Sequence, residues 1–213
     1  MIKVKSFTFN AFQENSFVLY DEESKECFII DPGCSNSAED QALLSFISEN
    51  DLIPTRLLNT HCHIDHVLGN QLIADRFGLV LEGHKKEIPV LASCEQVGRM
   101  YGIPYKGSPE LSVFHEDGDS FTLNNQEIRV LLTPGHSPGS ICFYVGDQGL
   151  VIGGDVLFQG SIGRTDLPGG NYETLINSIK TKLLPLPDET VVYPGHGPAT
   201  TIGVEKVSNP FLT

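Results

Sequence analysis

Basic residues are scarce in this chain: 14 Lys and Arg stand against 27 Asp and Glu, a formal net charge of −13 over 213 residues. Nucleic-acid binding draws its affinity from cations that neutralise phosphates, so this balance argues against a large polyanionic partner. No apolar run is long enough to span a bilayer, which excludes an integral membrane protein of the helical kind. The opening "MIKVKSFTFN" lacks the charged, apolar and small-residue succession of a secretory leader and alternates as a strand does, so a cytoplasmic address is expected. Cys27, Cys34, Cys62, Cys94 and Cys142 are odd in number and show no CxxC spacing. That pattern disfavours both a disulfide framework and a thiolate zinc site, and reduced thiols are expected. There is no low-complexity linker and no fixed-period repeat.

What is there is an ordinary globular composition, 40% hydrophobic and 19% charged, long enough to bury one sizeable core. A single domain over residues 1–213 is expected, with 85–118 as a lid or pocket-wall insertion. Strands are predicted near 2–9, 16–20 and 27–31, after which "DPG" at Asp31 to Gly33 turns the chain. Ser37 with Asp40 reads as a capping box for a helix whose stripe is Leu43, Leu44 and Ile47. Strand "RLLNT" follows, then "NQLIADRFG" as a helix closed by Gly78. Further strands are predicted near 121–124, 128–132, 140–145 and 149–153, then a helix at about 172–183, strand "TVVY" and a short tail. The alternation is that of an α/β fold in two rough halves.

The stretch "THCHIDHVLG" packs three histidines and an aspartate into six residues, His61 to His66. His61 follows "RLLNT", His136 follows "RVLLTPG", Asp155 follows "LVIGG" and His196 follows "TVVYPG", so four apolar runs each end on a ligand-type side chain. Open α/β sheets build their sites at the carboxyl ends of strands. Five of the seven histidines lie at such ends, which a chance scatter rarely produces. In extended chain, alternate side chains share a face, so His61 and His63 can grip one ion while Cys62 packs on the other side. Asp65 and His66 can reach a second ion. His136 completes the first set, His196 the second, and Asp155 can place one oxygen on each. Imidazole and carboxylate donors without thiolate suit zinc, with iron or manganese as alternatives, and open positions mark a catalytic site.

These residues resemble the metallo-β-lactamase superfamily, whose HxHxDH signature stands here as His61, His63, Asp65 and His66, with His136, Asp155 and His196 following in that family's order. The resemblance runs from "IIDPG" to the terminal "NPFL" and implies an αββα sandwich, two mixed β-sheets flanked by helices. "GRTDLPGG" at Gly163 to Gly170 and "NPFLT" look most like short glyoxalase II-like hydrolases, which act on thioesters such as S-lactoylglutathione. Full-length enzymes of that type carry a further helical C-terminal domain that holds glutathione. The expectation here is a chain without it.

Chemistry leads to the same class. A metal lowers the pKa of bound water from 15.7 towards ~7, while a second ion can polarise the carbonyl. A thiol of pKa near ~8.5 leaves without a strong general acid. Asp65 is read as both ligand and proton carrier, and the partner as a small-molecule thioester. Competing readings are a mononuclear iron persulfide dioxygenase, a lactonase and a non-enzymatic metal-stabilised binding module; a β-lactamase is disfavoured, since secreted enzymes of that type carry signals and lack the bridging carboxylate that stands here as Asp155. The lactonases of this group place Tyr where this chain has Phe158. Arg164, Tyr101, Tyr105 and Lys106 are candidate substrate contacts, the last three on or after a helix around "VLASCEQVGRMYG". Asp31 reads as a turn cap, Cys62 as a packing residue, and His84 and His115 as surface or loop residues.

Overall fold

A computed structural model describes residues 1–212; Thr213, the last residue of the "NPFLT" tail, lies outside them. Two compact units form, residues 1–114 with 123–126 and the remainder of the chain. In the first, strands β1 (Ile2–Phe9), β2 (Glu14–Asp21), β3 (Glu26–Ile30), β4 (Ile53–Leu58), β5 (Leu81–Gly83) and β6 (Leu111–Phe114) lie side by side in that order. The β1–β2 and β2–β3 pairings are antiparallel, and β3 to β6 are mutually parallel. The helices are α1 (Ser37–Glu49), the single turn α2 (Ile64–Val67), α3 (Asn70–Phe77) and α4 (Ile88–Tyr101).

Alternation decides what each strand buries. Val18, Cys27, Ile29 and Leu57 face Leu43 and Ile47 of α1 and Ile73 of α3 in one apolar cluster, while the intervening Phe17, Leu19, Phe28 and Ile30 are buried as well. Each such side chain removed from water stabilises the fold by roughly 1.5–3 kcal/mol. The start of α1 differs from the predicted capping box. Asn36 is the cap, its Oδ1 accepting from the Ala38 and Glu39 amides, and Glu39 reaches back to the Ser35 amide. Asn serves as well as Ser there because only a short side-chain acceptor is needed. Gly78 closes α3 in a left-handed conformation as predicted.

Strands β5 and β6 were not expected. At three and four residues they are too short to show an alternating pattern. They place the segment 85–118 partly within the sheet, with α4 packing through Cys94 against Cys62, Ile64, Val67 and Leu68.

The second unit arranges β7 (Ser120–Leu123), β8 (Gln126–Leu132), β9 (Ile141–Val145), β10 (Leu150–Gly154), β13 (Val191–Pro194) and β14 (Thr200–Thr201) in one sheet, with β11 (Leu157–Phe158) and β12 (Ser161–Ile162) as a small hairpin. Strands β8, β10 and β13 run the same way, since β9 is antiparallel to both β8 and β10, and β13 is parallel to β10. Helix α5 (Tyr172–Ser178) continues through a π-helical turn at Ile179–Leu183. Leu175, Ile179 and Leu183 pack on Val151 and Val192. The predicted short tail is in fact helix α6 (Ile202–Ser208), capped by Thr201 and anchored by Ile202 in the same cluster. Its seven residues are too few for a helical period to stand out.

Candidate metal centre

Strand direction sets the site. Because β3 and β4 are parallel, Asp31 and the Thr60–His61 pair leave the sheet at the same end. The common direction of β8, β10 and β13 likewise brings out His136, Asp155 and His196 together. The Gly195 amide donates to the Gly154 carbonyl (2.8 Å), tying the last two turns to each other.

In the first unit the rings of His61 and His63 lie 4.8 Å apart and those of His61 and His66 4.1 Å apart. Asp65 Oδ2 is 3.7 Å from His66 Nε2. Asp31 is more than a turn cap. Its Oδ1 accepts from the Thr60 amide (2.7 Å) and Asn59 Nδ2 (3.1 Å), and its Oδ2 from Thr60 Oγ1 (2.6 Å) and His66 Nδ1 (3.1 Å). The local sequence gave no sign of this, because Asp-Pro-Gly is equally a turn signal.

In the second unit Asp155 Oδ2 lies 3.5 Å from Nε2 of both His136 and His196. His136 Nδ1 is 2.8 Å from the Arg164 carbonyl. Carbonyls and carboxylates only accept, so the Nδ1 atoms of His66 and His136 carry the protons, and in the neutral ring Nε2 holds the lone pair. Thr60 Oγ1, having given its proton to Asp31, accepts from His61 Nδ1 at 3.1 Å, which fixes the same tautomer there. Imidazoles locked at Nδ1 with basic Nε2 atoms beside carboxylates are the donor set that a divalent metal requires. The residues fit such a group. Asp31, His61 and His66 also bring donor atoms within 4.8 Å of one another, but Asp31 is saturated by its four hydrogen-bond donors and serves to orient.

Four further residues, unmarked by any sequence motif, support the candidate ligands. Glu87, buried, accepts the Cys62 amide through Oε2 (2.8 Å) and so holds the backbone between His61 and His63. Glu14 is fully buried with Oε1 3.7 Å from His66 Nδ1, and burial pushes its carboxyl well above the usual range. Asn59 and Asn70 lie behind Asp31. None belongs to a recognisable ligand spacing, so only the folded chain reveals them.

Cys62 is buried between Ile64, Val67 and Cys94, and burial pushes its thiol up. His84 and His115 are both buried, contrary to expectation: His84 Nδ1 caps the turn at Lys86, and the His115 ring lies tilted against Phe121 with centroids 5.2 Å apart. Arg164 is exposed and bidentate to Asp166 at 2.7 Å. Tyr101 meets Phe12 edge-on, and Lys106 pairs with Asp40 at 3.3 Å. Tyr105 is half-buried beside Gly98.

A sequence profile of the Metallo-beta-lactamase superfamily matches residues 9–196. The chain belongs to the metallo-β-lactamase superfamily. Its two mixed sheets and flanking helices are the αββα fold of that superfamily. The chain is 42% identical over 205 residues to hydroxyacylglutathione hydrolase GloC of Haemophilus influenzae, covering 95% of this chain and 94% of that one. Among solved structures it resembles BLEG-1 B3 metallo-beta-lactamase, with TM-score 0.90, 38% identity and coverage of 99% and 100%. It also resembles TTHA1623 in a di-iron-bound form, with TM-score 0.84, 37% identity and coverage of 98% and 100%. Among the described residues no helix is long and apolar enough to cross a membrane. The superfamily membership makes the chain a metallo-hydrolase with His and Asp clusters suited to metal.

Proposed function

We propose that this metallo-hydrolase cleaves thioesters of the S-lactoylglutathione type. In this reading His61, His63 and His136 hold one divalent ion, Asp65, His66 and His196 hold a second, and Asp155 serves both. The observation that carries it is the single Asp155 oxygen 3.5 Å from two imidazole nitrogens, the placement a shared ligand needs. The likeness to GloC supports the thioester. Zinc suits the donors, and the di-iron form of TTHA1623 supports iron as an alternative.

When bound, such ions supply a water of lowered pKa and polarise the carbonyl. The chain's residues do the rest. Asp65, partly exposed beside His66, accepts the proton of the attacking water and can pass it to solvent. Locked Nδ1 partners keep the three imidazoles from rotating. The thiol departs as thiolate without a dedicated acid, since its pKa lies near ~8.5. Arg164, Tyr101, Tyr105 and Lys106 are proposed to meet the substrate, with 85–118 as a wall of its pocket. The address is proposed to be cytoplasmic.

A second reading, β-lactam hydrolysis, is favoured by the likeness to BLEG-1. Protein purified without added metal separates them. Metal content is measured alongside S-lactoylglutathione hydrolysis, turnover of a chromogenic cephalosporin, and oxygen uptake with glutathione persulfide. Two metal ions with thioester cleavage alone supports the proposal. Cephalosporin turnover without thioester cleavage moves the protein to the second reading, and one iron with oxygen uptake replaces both by a persulfide dioxygenase.

A further inference from the structure

Behind His66 runs a chain of neutral side chains with no part in ligation. Asn59, buried at 1% exposure, donates through Nδ2 to Asp31 Oδ1 (3.1 Å) and to the His66 carbonyl (3.0 Å). Both are acceptors, so the amide orientation of Asn59 is fixed and its Oδ1 must face Asn70. Asn70 Nδ2 answers with a donor at 2.7 Å and gives its other hydrogen to Ser108 Oγ at 3.0 Å, which in turn donates to the Pro109 carbonyl. Asn70 Oδ1 is buried without a hydrogen-bond partner among the described residues. Its amide is therefore held by its donors alone. The Asn59 backbone is pinned too, its amide donating to the Glu82 carbonyl of β5.

We infer that Asn59 is a positioning residue that fixes Asp31 against His66, and that through Asn70 and Ser108 it ties the loop of residues 103–110 to the ion His66 would hold. The inference rests on the two-ion reading above. One amide holds both the carboxylate that orients His66 and the backbone carbonyl of His66 itself, so ring and main chain are set by the same group. A buried network with so few alternative partners is either made in full or lost at a cost. The loop that carries Tyr105 and Lys106 has its Ser108 as the far end of that network.

Asn59→Asp tests this with the side-chain volume unchanged. It puts an oxygen against Asp31 Oδ1 and the His66 carbonyl where two donors stood. Metal-free protein is titrated with cobalt(II) against a competing chelator, following the cobalt absorption. In wild type two binding steps are expected. In Asn59→Asp one of the two steps loses about 10- to 100-fold in affinity with an altered cobalt spectrum, while the other step is unchanged. Asn70→Asp, which disturbs the same link one bond further out, reads it if Asn59→Asp does not fold. Ser108→Ala leaves both cobalt steps as in wild type. In wild type cobalt slows amide hydrogen exchange in residues 103–110, and Ser108→Ala abolishes that protection. Wild-type cobalt spectra and affinities in both Asn variants overturn the positioning role, and retained protection in Ser108→Ala overturns the link to the loop. A wild-type protein that takes up fewer than two cobalt ions overturns the two-ion reading itself, a result distinguishable from either.

Discussion

Gly163 gives the sharpest lever on the candidate centre. A Cβ there would sit 2.0 Å from the Asp155 carbonyl oxygen and 3.2 Å from His136 Cβ, where ordinary contact begins at 3.4 Å. Gly163→Ala therefore forces the Asp155 backbone back by more than an ångström. The obstacle is main chain beside a ligand, so no flexible side chain can yield instead. Overpacking of this kind costs typically 1–3 kcal/mol of stability. A misplacement of about 1 Å at a reacting site costs on the order of 100-fold in rate. Urea denaturation, metal content and thioester turnover measured on one preparation should show both losses, with less metal bound than by wild type. Gly78→Ala is the control. Its Cβ meets nothing within 4 Å, so only the left-handed backbone at φ +67° is penalised, by about 1–2 kcal/mol, with metal content unchanged. Gly163→Ala protein with full metal content and turnover within about twofold of wild type would refute the argument that close backbone approach places Asp155.

Asp31→Asn turns one of the two acceptor oxygens into a donor, so either His66 Nδ1 and Thr60 Oγ1 or the Thr60 amide and Asn59 Nδ2 lose their acceptor, and the ion proposed at His66 should weaken by about 10- to 100-fold in chelator competition; unchanged affinity would mean that Asp31 only shapes the turn. All five cysteines are buried, and desolvation pushes Cys27 and Cys94 up to about 12, so a disulfide reagent at pH 8 should label none within minutes and all five in guanidinium. A fast-reacting thiol in the native protein would contradict the packing assigned to Cys62. The hydrogen bonds from Arg164 lower the Asp166 carboxyl to about 2. A depressed folded value means the pair contributes fully above the unfolded value of 3.8 and is lost as pH falls through about 2. An NMR titration of Asp166 with its midpoint near 4 would show the pair absent in solution.

The sequence disclosed the site's outline because its chemistry is local. Five histidines and Asp155 follow apolar runs, and strand ends are where side chains of that kind gather. The supporting residues stayed hidden for the opposite reason. Glu87 meets the Cys62 amide across 25 positions, and Asn59 meets Asp31 across 28, separations that no spacing rule reaches. His84 and His115 lack ligand-like partners in the sequence, which places them at the surface or in loops, yet both are buried. His84 accepts the Lys86 amide on its ring nitrogen and the His115 ring lies tilted against Phe121, contacts that accompany their burial. For β5, β6 and α6 the elements are shorter than the periods that would announce them.

Asp31 adopts φ +49°, a left-handed backbone that few residues with a Cβ adopt. Such strain costs of order 1–3 kcal/mol and persists only where the surroundings over-determine it. Here the restraint is the set of four donors on the carboxylate. The turn is thus a loaded spring whose catch is its own side chain. Next to it, the Pro32 carbonyl receives the Gly69 amide at 2.7 Å, at the joint between α2 and α3. Releasing the Asp31 carboxylate would let φ relax to negative values and pull on that joint, so damage to one hydrogen-bonded group would reach His66 from both its ring and its helix.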